Sequence, residues 1–167
     1  MLRCAKILSA VFLLLPTLSL ADTASDVSLP MWQQGSGGYY LRGVFDGGVE
    51  SDLLVDTGSS YVVLSRDTMA RLERDGATAF LRTIRGTTAA GRVMKVKVYS
   101  VSELALGDDC VLRDIEAVAL PGADRDILGL SALRRLQPFA IQLEPAVLTV
   151  STCSSPDEVT LATTVND

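Results

Sequence analysis

The chain has 167 residues and a formal charge of −5, enough length for one domain with a real core and a balance that disfavours nucleic acid and anionic membrane surfaces as partners. There is no histidine. That excludes Ser-His-Asp and Cys-His catalysis, the zinc-protease helix motif and most zinc sites, so acid–base chemistry near neutral or acidic pH falls to carboxylates.

Residues 1–21 read as a secretory signal peptide. Arg3 and Lys6 make a basic start, and Ile7 to Leu20 is an apolar stretch interrupted by Pro16 and short for a bilayer span. Ser19-Leu20-Ala21 supplies small residues where a signal peptidase reads, which places cleavage before Asp22. The alternative is an uncleaved membrane anchor. Either way the domain is expected to be exported, periplasmic or secreted. The remainder carries 13 basic and 20 acidic residues, a formal −7. With Cys4 in the leader, Cys110 and Cys153 remain, too few for a cysteine-rich metal site. In an oxidising compartment they are a candidate disulfide, with two free buried thiols as the alternative. No metal and no cofactor are expected.

Residues 22–38 are small and polar and read as a flexible N-terminal arm. Trp32, the only tryptophan, either docks on the domain or a partner subunit or sits loosely in that arm. From Tyr39 the texture changes to short strands. Tyr39 to Phe45 and Val49 to Val55 flank Asp46-Gly47-Gly48, a hairpin signal. Leu53-Leu54-Val55 then runs into Asp56-Thr57-Gly58-Ser59-Ser60, and Tyr61 to Leu64 follows. A carboxylate thus sits on a tight turn between two strands that read as buried. Burying it costs free energy unless donors meet it, and the Thr57, Ser59 and Ser60 hydroxyls and the N–H groups around Gly58 are adjacent.

Ser65 caps a short helix from Arg66 to about Arg74, and Gly76 ends it. Phe80 to Arg85 and Arg92 to Leu104 make a long hairpin whose tip is Gly86, Thr87, Thr88, Ala89, Ala90 and Gly91. It reads as a flap over a cleft, or as an ordinary exposed hairpin. Cys110 to Leu120 gives one or two strands. Asp126 to Leu130 is an apolar run broken by Gly129, and Ser131 opens a short helix through Leu136. Phe139 to Leu143 and Ala146 to Val150 read as paired strands, and residues 151–167 as a polar tail. Many short strands and two short helices make an all-β, barrel-like domain over residues 39–150.

The order strand, Asp56-Thr57-Gly58-Ser59, strand, flap-like hairpin, Ile127-Leu128-Gly129, short helix resembles the retropepsin-like (clan AA) aspartic proteases, and within them the exported single-domain bacterial type. The resemblance covers about Tyr39 to Val150 and implies a closed β-barrel with a flap hairpin. It implies that Asp56 is the catalytic carboxylate. Thr57 would lock the two active-site loops of a dimer, Gly58 would allow close backbone approach, and Ser59, often Ala in this clan, would hydrogen-bond the carboxylate. Ile127, Leu128 and Gly129 would pack beneath the loop, and Gly86 to Gly91 would be the flap tip. The implied activity is aspartic endopeptidase on a peptide or protein substrate; the alternative is a non-catalytic peptide- or partner-binding module of the cell envelope.

Hydrolysis of this kind needs two carboxylates sharing a proton, and aspartic proteases are the standard case behind that rule. The chain has one Asp-Thr-Gly and no second copy or Asp-Ser-Gly variant. A homodimer is therefore expected, with Asp56 facing its own copy across a two-fold axis; the resemblance implies a dimer sheet built from chain ends, here the arm before Tyr39 and Ala146 to Val150.

Overall fold

The computed structural model describes residues 26–35, 37–87, 91–108, 110–151 and 153. The leader, Thr88, Ala89, Ala90 and the tail beyond Cys153 lie outside these residues.

The first departure from the sequence reading is the arm. Its described part holds two strands, β1 (Val27–Pro30) and β2 (Trp32–Gln34). Leu29 and Met31 are buried, and the Met31 N–H donates to Ala146 O at 2.9 Å. Those apolar residues tie down a segment whose polar composition suggested freedom. Trp32 is cross-strand from Tyr40, so it docks on its own domain.

β3 (Gly38–Phe45) and β4 (Val49–Val55) form the first hairpin. The turn between them is a 3-10 turn in which Gly47 and Gly48 both take positive φ. β5 (Val62–Leu64) leaves the Asp56 loop, and α1 (Arg66–Arg74) follows. Ser65 caps α1 by accepting from the Thr68 N–H at 3.2 Å, while Met69 and Leu72 bury its apolar stripe. β6 (Thr78–Thr87) and β7 (Val93–Leu106) are the long hairpin, and β8 (Cys110–Ala119) is a single strand against β7. β9 (Asp126–Leu128) and α2 (Leu130–Leu133) come next; a 3-10 turn over Arg134–Leu136 completes the expected helix. β10 (Phe139–Leu143) and β11 (Ala146–Val150) are the last described strands.

Eight strands form one sheet in the order β2-β3-β4-β9-β5-β8-β7-β6, and β3 also pairs with β7. That extra pairing closes β3, β4, β9, β5, β8 and β7 into a ring, with β2 and β6 branching from it. The fold is all-β, as the strand pattern indicated. The remaining sheet, β1-β11-β10, is antiparallel. It packs Leu29, Leu148 and Val150 into the main core with Leu41, Phe45, Leu53, Leu104, Leu112 and Leu136. The Cys110 and Cys153 sulfurs are bonded, which fastens the segment after β11 to the start of β8.

A smaller apolar cluster lies under the hairpin. Val63, Val96, Val98 and Val118 are its buried members, with Ile84, Met94, Leu120 and Ile127 packed against them. So β7 buries Val96 and Val98 in this cluster, then Val101, Leu104 and Leu106 in the main core. Beyond the Lys97–Ala119 pair no third strand lies beside the hairpin among the described residues. Gly86 is no bend in it: it pairs with Met94 inside β6, and a Cβ there would meet Val96 Cγ2 at 2.9 Å. Among the described residues of the predicted tip, Gly91 takes a positive φ, 75°.

Candidate active site

β4 delivers Asp56 and β5 carries the chain away, so the loop 56–61 is suspended between two strands of one sheet. Both strands rest on β9. Leu53, Leu54 and Val55 pair in parallel with Asp126, Ile127 and Leu128, and Val63 pairs antiparallel with Ile127. This is why an apolar pair recurs far along the chain: β9 fills the gap between β4 and β5 and has no free edge.

Asp56 is half-buried, while Thr57 and Gly58 at the loop tip are exposed. Its Oδ1 accepts the Gly58 N–H at 2.8 Å, and its Oδ2 accepts the Ser59 hydroxyl at 2.8 Å. Of the hydroxyls expected around it, then, only Ser59 engages the carboxylate, and a backbone N–H supplies the other donor. These two bonds fix the plane of the carboxylate. Gly58 comes so close that a Cβ would lie 3.1 Å from Oδ1.

The loop is held from below. The Asp56 N–H donates to Leu128 O at 3.2 Å, and the Leu130 N–H donates to Ser59 O at 2.8 Å. Gly129 lies between these contacts with an ordinary extended φ of −95°. Its glycine is required by space: a Cβ would fall 2.0 Å from Tyr61 O and 2.8 Å from Ser59 O. Leu128 is fully buried beneath Asp56. The structure thus gathers Asp56, Thr57, Gly58, Ser59, Ile127, Leu128 and Gly129 in one place. Gly86 and Thr87 lie at the end of β6, in the hairpin above the smaller cluster.

Two residues of this framework escaped the sequence reading. Asp126, 6% exposed, was hidden inside a stretch read as apolar. Its Oδ2 accepts the Ser51 hydroxyl at 2.5 Å and the Thr68 hydroxyl at 2.6 Å, and its Oδ1 accepts the Ser65 N–H at 2.5 Å. One carboxylate thereby joins β4, the start of α1 and β9. An acid that opens a buried strand was the available signal. Ser131, in the first turn of α2 as expected, also accepts the Val62 N–H at 2.8 Å and donates to Glu116 O at 2.6 Å, pinning α2 to β5 and β8.

Beside the site, Arg82 makes a bidentate pair with Glu116 at 2.6 and 2.7 Å and reaches the Tyr61 hydroxyl at 3.4 Å. The guanidinium holds the Glu116 carboxyl below its ordinary range. An apolar groove of about 270 Å³ runs between the hairpin and β9, lined by Val63, Met94, Leu120, Pro121 and Ile127 among others. A larger open cavity of about 660 Å³ lies against Ser51, Leu54, Thr68, Arg71 and Asp126. It is polar, and Asp56 lines neither space; the groove, with Val63, Met94, Leu120 and Ile127 in its walls, is the better place for an apolar ligand side chain.

The family model described as "Aspartyl protease" matches residues 42–132, more than half of the chain. The chain belongs to the aspartyl protease family. That match takes in the Asp56 loop, α1, the hairpin and β9 together. Among solved structures, this aspartyl protease family member is similar to a retropepsin-like aspartic protease from Rickettsia conorii, with 20% identity and a TM-score of 0.54 over 75% of this chain and 90% of that one. The likeness is one of fold, and the fold is retropepsin-like. No curated protein matches the chain.

Proposed function

We propose that the protein is an exported aspartic endopeptidase whose active site is completed by a second copy of the chain. The observation that carries this is the Asp56 carboxylate, oriented by Gly58 and Ser59, on a loop with an exposed tip. Hydrolysis in such a site needs one carboxylate to take a proton from the attacking water and a second, protonated one to give a proton to the carbonyl oxygen. The resulting tetrahedral adduct collapses when a proton reaches the leaving amine and the C–N bond breaks.

One chain contributes one of those groups. The other carboxylate in the framework, Asp126, is buried and occupied by three donors. A two-fold axis beside the exposed Thr57 and Gly58 brings Asp56 to its own copy. The groove along Val63, Met94 and Ile127 suits an apolar substrate side chain next to the scissile bond. The Cys110–Cys153 bridge supports an oxidising compartment, in line with export after loss of residues 1–21.

The test is cleavage of an unstructured peptide mixture, across pH 3 to 7, by the chain from Asp22 and by Asp56→Asn. The isosteric amide keeps the Ser59 contact but cannot exchange the proton, so cleavage should fall by three orders of magnitude or more. Equal cleavage by the two proteins would remove Asp56 from the mechanism. Binding of peptides by both, with cleavage by neither, would mark a binding module.

A further inference from the structure

The two faces of the hairpin β6-β7 differ in chemistry. Ile84, Met94, Val96 and Val98 turn inward onto the smaller apolar cluster. Opposed residues share a face in an antiparallel pair, as do alternate residues along a strand. The register therefore puts Phe80 with Tyr99, Thr83 with Lys97, Arg85 with Lys95 and Thr87 with Val93 on the outer face. Tyr99 is half-buried where that face meets the body, and the rest of the row is exposed.

The outer face is basic in an acidic protein. Residues 76–102 carry five basic residues and no acid, in a chain of formal charge −5, and Lys95 and Lys97 are the only lysines outside the leader. Arg85, Lys95 and Lys97 make no ion pair with a described residue. Arg85 lies directly across from Lys95, and like charges so placed destabilise a sheet. Folding gains nothing from that pair, whereas a partner of negative charge turns the repulsion into attraction. Apolar side chains flank the cations. Phe80 is 58% exposed at one end of the face and Val93 61% at the other, with Leu81, at the β6 bulge, 45%.

We propose that the outer face of this hairpin docks the protein on an anionic lipid membrane. The three cations meet headgroup phosphates, and Phe80 and Val93 enter the boundary between headgroups and acyl chains. A membrane interface offers both chemistries on one surface, while an acidic polypeptide answers only the cations. The net charge of the chain argues against this partner. Exposed charges more than about 8 Å apart are largely screened at physiological ionic strength, however, so the local face decides. Docked this way, the inner face stays turned toward the groove at Met94 and Ile127. The inference does not rest on the protease reading.

The experiment is cosedimentation of the chain from Asp22 with vesicles of phosphatidylcholine, alone or mixed with phosphatidylglycerol. Each basic residue near an anionic surface adds about fivefold to binding, so the mixed vesicles should bind about a hundredfold tighter, and high salt should abolish the difference. Lys95→Glu with Lys97→Glu should weaken binding to the mixed vesicles at least tenfold. Phe80→Ser should weaken it severalfold and keep the salt dependence. These variants replace exposed side chains and should keep the far-ultraviolet circular dichroism of the wild type. Arg66→Glu with Arg74→Glu, exposed on α1, changes the net charge equally and should bind like the wild type.

A wild type that binds both vesicles alike would overturn the proposal. So would an equal loss in the α1 variant, which would assign the effect to net charge. Capture by polyglutamate but by no vesicle would overturn it in favour of an acidic polypeptide. Binding that appears only after deletion of residues 154–167, which carry Asp157, Glu158 and Asp167, would overturn it in favour of cover by the chain's own tail. Selective vesicle binding by a protein that cuts no peptide supports the docking face while the protease reading falls.

Discussion

Gly129→Ala adds one methyl group at the tightest point of the molecule. The new carbon would fall 2.0 Å from Tyr61 O, 2.6 Å from Tyr61 C and 2.8 Å from Ser59 O. Overpacking costs about 1–3 kcal/mol where side chains can shift. Here the obstacles are backbone atoms of the active-site loop, so the loss should reach about 3 kcal/mol, which lowers the melting temperature by roughly 10 °C in a domain of this size. The loop can escape only by lifting off β9, which breaks the Leu130 N–H to Ser59 O and Asp56 N–H to Leu128 O bonds. Displacing a reacting group by about 1 Å can lower turnover a further hundredfold. Thermal and urea unfolding measure the first effect, and kcat/KM on a peptide at 25 °C, where the variant is still folded, measures the second. Gly76→Ala is the comparison: it has open space but a φ of 69°, so it should cost only about 1–2 kcal/mol and leave cleavage intact. If Gly129→Ala melts within a degree of the wild type, the steric reasoning is wrong.

Asp126→Ala strands the Ser51 and Thr68 hydroxyls and the Ser65 N–H; urea titration should show a loss of about 3 kcal/mol or more, and a loss under about 1 kcal/mol would mean that water replaces the carboxylate freely. Glu116 has its carboxyl lowered by Arg82 from an ordinary 4.5, so the pair contributes stability above that pH and loses it as pH falls through the lower folded value. The stability gap between wild type and Glu116→Gln should narrow below pH 4.5; the pair is over a third exposed, so the gap should stay small, and a gap that widens on acidification would reverse the assignment. Replacing Cys110 and Cys153 with Ser opens a bridge of sequence separation 43, which should cost up to about 4 kcal/mol by chain entropy; reduced wild type should unfold at the same urea midpoint as the double variant.

Elements whose chemistry is local were legible in the sequence. Ser65 before an amphipathic turn marked α1, Asp46-Gly47-Gly48 marked the first turn, and β10 and β11 fall on their expected residues. The Asp56 loop was legible because an acid set between apolar strands is costly to bury, and the donors that offset the cost, Gly58 N–H and Ser59, follow within three residues. What was hidden depends on distant partners. The arm looked free because Leu29 and Met31 find their burial only against β11 and the core. Ser131 and Asp126 act through residues on distant elements, and nothing next to them shows it. Gly86 looked like a bend because sequence cannot tell a glycine needed for φ from one needed for room.

The Asp126 carboxylate has a consequence for the order in which the protein comes together. Its three donors lie 75, 61 and 58 residues earlier in the chain. Contacts so far apart form late, because the loops between them must close before anything is gained. A chain emerging N-terminus first therefore presents Asp56 long before it has the strand that positions it, and a chain cut before β9 has no floor beneath its loop. During synthesis the acid is present and the site is not. If the chain cuts peptides as proposed, this delay keeps it harmless until its own folding is finished.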